Sequence, residues 1–127
     1  YDLLRRSARC RLFDIMGHVD LVKKFGNLPG EDMTGEITAT AQAFRESGVT
    51  IEINTAGLRK PAREIYPSLT ALKIYQRAGV PITFGSDSHR PEEVGQDFDQ
   101  ARDLARAAGY QDYVVFQDRR IREKIKI

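Results

Sequence analysis

Residues 68–89 read SLTALKIYQRAGVPITFGSDSH. Leu69, Leu72 and Tyr75 recur at helical spacing between Ser68 and Ala78, which gives one apolar stripe for a core to cover. Gly79 follows the last periodic residue, where a left-handed glycine ends a helix. Pro81 to Ser86 is then an apolar run of strand length, closed by a polar string that ends at His89. The stretch is a helix, a glycine stop, a strand and a polar loop.

Working outward, the same succession returns. Leu12 to Gly17, Val49 to Asn54 and Tyr113 to Phe116 join Pro81 to Ser86 as expected strands, their starts about 30 to 37 residues apart. Between them lie helical patterns at Thr34 to Ser47, with Ile37, Ala41 and Phe44 on one face, and at Phe98 to Ala108, with Ala101, Leu104 and Ala105. Gly48 and Gly109 stand where Gly79 does. The opening YDLLRRSARC is amphipathic and reads as a piece of a longer protein that starts inside a helix. The class is α/β with about four β-α units. A unit of about 31 residues is one eighth of a (β/α)-barrel of about 250, and a doubly wound open sheet gives the same alternation, so spacing leaves both open.

Composition narrows the field. At 127 residues the chain holds one core and falls short of a complete barrel. With 41% apolar and 30% charged residues it is neither disordered nor a disulfide scaffold. Twenty Lys+Arg against 18 Asp+Glu give +2, with only a small basic excess at the C-terminus, which argues against a nucleic-acid groove or a membrane-surface patch. No apolar stretch reaches the length of a membrane span, and the single Cys10 suits a reducing, cytoplasmic setting.

Both histidines fall at strand ends. His18 closes FDIMGH and His89 follows ITFGSD. A lone histidine is more often a hydrogen-bonded structural group, but two of two at equivalent positions shift the weight toward chemistry. Asp87 and His89, one residue apart, form a carboxylate–imidazole pair of the kind that binds Zn²⁺, Mn²⁺ or Fe. Thr83, Gly85 and Asp87 share a strand face, and the small Gly85 is expected to leave room for an ion. The competing role for Asp87 is to cap the short helix opened by Pro91, Glu92 and Glu93. In the second strand Thr50, Glu52 and Asn54 share a face, where Glu52 needs a partner: a metal-bound water, a lysine or an arginine. NTAGLRKP then brings Arg59 and Lys60 to the same end, either as an anion site or as a solvated charged loop. No GxSxG, P-loop, CxxC or HExxH competes.

Taken together, FDIMGHVDLVKKFG, IEINTAGLRKPAREIYPS and GVPITFGSDSHRPEEVGQDF resemble the C-terminal half of a PHP-family histidinol-phosphatase, from about Phe13 to Tyr110. The resemblance implies the C-terminal half of a distorted seven-stranded, TIM-like barrel, with residues 1–127 as a single partial domain lacking the N-terminal half that carries the family's HxH motif. It implies a trinuclear divalent-metal centre and hydrolysis of L-histidinol phosphate to L-histidinol and phosphate in histidine biosynthesis. His18, Asp87 and His89 match metal-ligand positions, Asp87 and His89 also stand at the reacting centre, and Asn54, Arg59 and Lys60 lie where substrate contacts are expected. Asp14 or Asp20 is the expected orienter of His18. Three ligands from a site of about nine cannot close a trinuclear centre, so this chain alone is expected to be inactive and to associate with its missing half or with a second copy. Two readings compete: a PHP-type phosphoesterase for another phosphate ester or for nucleic acid, and a non-catalytic half-barrel that serves in assembly.

Overall fold

Glycine stops and apolar stripes set the element boundaries. The computed structural model describes all 127 residues. In chain order the elements are α1 (Asp2–Arg9), β1 (Ile15–Met16), α2 (Thr34–Ser47), β2 (Thr50–Asn54), α3 (Leu69–Arg77), β3 (Ile82–Gly85), α4 (Phe98–Ala108), β4 (Asp112–Gln117) and β5 (Arg120–Lys126), with short 3-10 turns at Leu21–Phe25, Thr55–Arg59 and Pro91–Glu93. The side chain of Asp32 accepts from the Thr34 N–H at 2.9 Å and so satisfies a free donor at the start of α2. Gly48 ends α2 at φ 73° and Gly109 ends α4 at φ 101°. Ser68 caps α3, its hydroxyl accepting from the Ala71 N–H. No helix is long and apolar enough to cross a membrane.

Three strands form a parallel sheet in the order β1-β2-β3, with Ile15 opposite Thr50, Ile51 opposite Ile82 and Asn54 opposite Gly85. Their order follows the chain without the reversal that marks the centre of a doubly wound sheet. The helices pack in sequence, α1 on α2, α2 on α3 and α3 on α4. Phe44 of α2 stacks on Tyr75 of α3 with ring centroids 5.7 Å apart, and Phe44, Ile51, Ile53, Leu72 and Ile82 are wholly buried. Each such side chain contributes about 1.5–3 kcal/mol of burial.

Of the expected four or so β-α units, the structure shows three, and the fourth strand goes elsewhere. The expected strand Tyr113–Phe116 does form, within β4, but it pairs antiparallel with β5 in a separate two-stranded sheet. Asp118 and Arg119, both at positive φ (50° and 62°), make the two-residue turn between them, so the basic C-terminal residues form a hairpin strand. This hairpin leans on the parallel sheet through Tyr113, whose ring lies 4.9 Å from Phe84 of β3. The first strand is also shorter than expected: Leu12 and Phe13 are exposed, and only Ile15–Met16 pairs with β2.

Candidate active site

All the site residues expected from sequence leave the C-terminal edge of the parallel sheet or the loops just beyond it. β1 delivers His18, two residues past its end, on left-handed backbone at φ 29°. β3 delivers Asp87 in the same way, two residues past Gly85 and at φ 46°. Neither residue is glycine, so both positions carry backbone strain of the kind that gathers at functional sites.

Between them stands Glu52 of β2. Its Oε2 accepts from the His18 main-chain N–H at 3.1 Å and from Asn54 Nδ2 at 2.8 Å. Among protein groups, the partners of this carboxylate are therefore neutral donors and neither of the two cations, lysine or arginine, named beside a metal-bound water as its expected partners. A Cβ at Gly85 would collide with the Glu52 carboxylate, and one at Gly17 would touch its Oε2 at 3.4 Å. The space beside Gly85, expected to admit an ion, is filled by Glu52.

His89 is exposed and held twice. Its ring Nδ1 lies 3.0 Å from the Asp87 carbonyl oxygen, and its main-chain N–H donates to Glu93 Oε2 at 3.0 Å. A carbonyl can only accept, so the contact matches the tautomer of the neutral ring that carries its proton on Nδ1 and leaves the lone pair on Nε2. Accepting the His89 N–H holds the Glu93 carboxyl below the usual range. Asp87 is exposed and does not cap the 3-10 turn at Pro91, whose N-terminus at Arg90 has no side-chain cap.

The loop after β2 crosses toward the loop after β3. Arg59 Nη2 donates to the Ser86 carbonyl at 2.6 Å, while the buried Nη1 makes no hydrogen bond and lies 3.9 Å from Asp97 Oδ2. Lys60 follows, half-buried. Asn54 is completely buried and both ends of its amide are used, Oδ1 accepting from the Ala56 N–H and Nδ2 donating to Glu52. It shapes the loop and presents no surface to a ligand.

The expected orienters of His18 are engaged elsewhere. Asp14 pairs with Arg119 at 2.8 Å, and Asp20 pairs with Lys23 at 2.7 Å while accepting the Ser68 N–H at 3.0 Å. Burial pushes the Asp20 carboxyl up, against the opposing pull of Lys23. Burial also raises the Tyr66 hydroxyl, helped by the charges of Asp20, Asp87 and Glu64. Glu93, and Glu52 in its contact with the His18 backbone, are the polar groups that sequence reasoning missed. The acceptors lie four residues from His89 and on the neighbouring strand from His18, and only the strand register brings Glu52 to His18.

The donor chemistry of His18, Asp87 and His89 suits a divalent ion, but no group of three His, Cys, Asp or Glu side chains converges at ligating range. The three share one edge of the sheet without surrounding a metal by themselves.

The family described as PHP-associated matches residues 69–98, which run from α3 through β3 to Phe98 at the start of α4. A probable histidinol-phosphatase of Deinococcus radiodurans is 40% identical over 101 residues, covering 80% of this chain and 38% of that protein. The chain is homologous to PHP-family histidinol-phosphatases. The histidinol-phosphatase of Bacillus subtilis is 34% identical over 89 residues, covering 66% of this chain and 33% of its own length. A probable histidinol-phosphatase of Schizosaccharomyces pombe is 26% identical over 109 residues, 80% of this chain and 34% of its own. The chain thus spans between 33% and 38% of these curated relatives.

Proposed function

We propose that the chain is part of a metal-dependent phosphomonoesterase that hydrolyses L-histidinol phosphate to L-histidinol and inorganic phosphate. In this reading it forms the C-terminal half of a distorted seven-stranded barrel, and the remaining metal donors come from outside these 127 residues. One observation carries it beyond the homology: His18 and Asp87 leave the same edge of one parallel sheet, after the two strands that flank β2, each on left-handed backbone that a non-glycine residue adopts only at a cost. That cost is understandable if an imidazole and a carboxylate must be aimed into the same space. His18, Asp87 and His89 are then metal ligands, and Asp87 and His89 lie at the reacting centre. Arg59 Nη1, which makes no hydrogen bond and has only the Asp97 carboxylate at 3.9 Å, supports a phosphate-side role for Arg59 and Lys60. Water oxygen bonds to phosphorus, the bond from phosphorus to the histidinol oxygen breaks, and a proton passes to that oxygen.

The test is phosphate release from L-histidinol phosphate by the protein at the length of its relatives, before and after chelation and after return of Zn²⁺ or Mn²⁺. Activity lost on chelation and restored by metal supports the reading. Activity toward a phosphodiester in preference to the monoester would favour the alternative phosphoesterase.

The assembly role has one observation of its own. Exposed Leu12 and Phe13 precede the exposed Ile15 of β1, a strand that pairs on one side only. Sedimentation of the 127-residue chain tests it: a dimer would support a self-associating piece, and a monomer at all concentrations would count against it.

A further inference from the structure

We infer that Glu52 is a positioning residue: its carboxylate fixes the left-handed turn that aims His18. The inference rests on the proposed phosphatase reading for its functional meaning, but the geometry stands without it. Three observations converge on this side chain. Its Oε2 accepts the His18 N–H at 3.1 Å, tying the residue after Gly17 to the adjacent strand where main-chain pairing of β1 has already ended at Met16. Asn54 Nδ2, itself wholly buried, donates to the same oxygen at 2.8 Å and so fixes the carboxylate from the other side. Glycine flanks the carboxylate on both sides, Gly17 just past the end of β1 and Gly85 at the end of β3, and a Cβ at Gly85 would displace it.

The arrangement gives the two glycines a reason other than backbone freedom, since neither is at positive φ. It also explains why a glutamate is placed in a strand whose other four residues are buried. A charged acceptor makes a stronger hydrogen bond than a neutral one, which suits a bond that must hold strained backbone. Reach is the second requirement, because the acceptor must cross from β2 to the residue beyond the end of β1.

Three variants of the 127-residue chain separate these requirements, with amide hydrogen exchange at His18 read by NMR and folding checked by circular dichroism. Glu52→Gln keeps the reach and an acceptor oxygen but loses the charge, and His18 exchange should speed up by less than in either of the other two variants. Glu52→Asp keeps the charge but is one methylene short, and Glu52→Met keeps the length but accepts nothing. Each should speed His18 exchange by about tenfold or more, as loss of a hydrogen bond to a charged group implies. Protection retained in a folded Asp or Met variant, or lost equally in Gln, would overturn the inference. If Met does not fold, Asp decides between the outcomes. In the protein at the length of its relatives, kcat should follow the same order with KM little changed. Absence of histidinol-phosphatase activity in the wild type, with the exchange pattern as expected, would remove the phosphatase reading and leave the positioning role standing.

Discussion

Lys23 and Asp20 face each other at 2.7 Å, and no more than a tenth of either side chain reaches solvent. The same ammonium bonds Glu64 at 2.7 Å and lies over the Tyr66 ring, while Asp20 accepts the Ser68 N–H at the start of α3. The pair thus pins the segment after His18 to the segment that follows the Arg59 loop. Lys23→Met leaves the buried Asp20 carboxylate without its cation and should cost about 3–5 kcal/mol in denaturant unfolding. Glu64→Gln, at a side chain 45% exposed, should cost under about 1 kcal/mol. Equal costs would contradict the assignment of Asp20 as the principal partner.

Gly57 and Gly35 should respond in opposite directions to alanine. A Cβ at Gly57 would run into the Glu64 carbonyl and the Tyr66 ring, so Gly57→Ala should destabilise by about 1–3 kcal/mol or more. Gly35 is exposed near the start of α2, with nothing near its missing Cβ and no positive φ, so Gly35→Ala should stabilise by about 0.5–1 kcal/mol. Melting temperatures of the two variants check this.

Asp14 and Arg119 join the approach to β1 with the turn of the β4–β5 hairpin. The hydrogen bond from Arg119 holds the Asp14 carboxyl below its ordinary value of 3.8. For a carboxylate with a lowered folded pKa, the contribution to stability is present above the ordinary value and is lost as pH falls through the folded one. The difference in melting temperature between wild type and Asp14→Asn should therefore be constant near neutrality and shrink below about pH 4. A difference that is the same at low and neutral pH would rule out the pair as its source.

The helices were legible because their signals are local. Phe98–Ala108 and Thr34–Ser47 carry an apolar stripe and a glycine stop, and both form with the expected ends. The strands were legible only in part. β2 and β3 lie inside the expected runs, while Leu12 and Phe13 look like strand residues but have no neighbouring strand to pair with. The β5 strand was hidden by its charges, although Ile121, Glu123 and Ile125 alternate with basic residues after the two-residue turn at Asp118–Arg119. At the site, the residue types of His18, Asp87 and His89 were readable from their place after apolar runs. What Gly85 faces was not, because that depends on the strand register that sets Glu52 beside it.

In the proposed phosphomonoesterase, the edge of the sheet that carries His18 and Asp87 holds the reacting centre. The most direct test is steady-state phosphate release from L-histidinol phosphate by Asp87→Asn, in the protein at the length of its relatives, with folding confirmed by circular dichroism. Asp87 is exposed and caps no helix, so the variant should fold as wild type does. Turnover should fall by at least about 100-fold, the scale of losing a group at the reacting centre. Unchanged turnover in the folded variant would contradict the account.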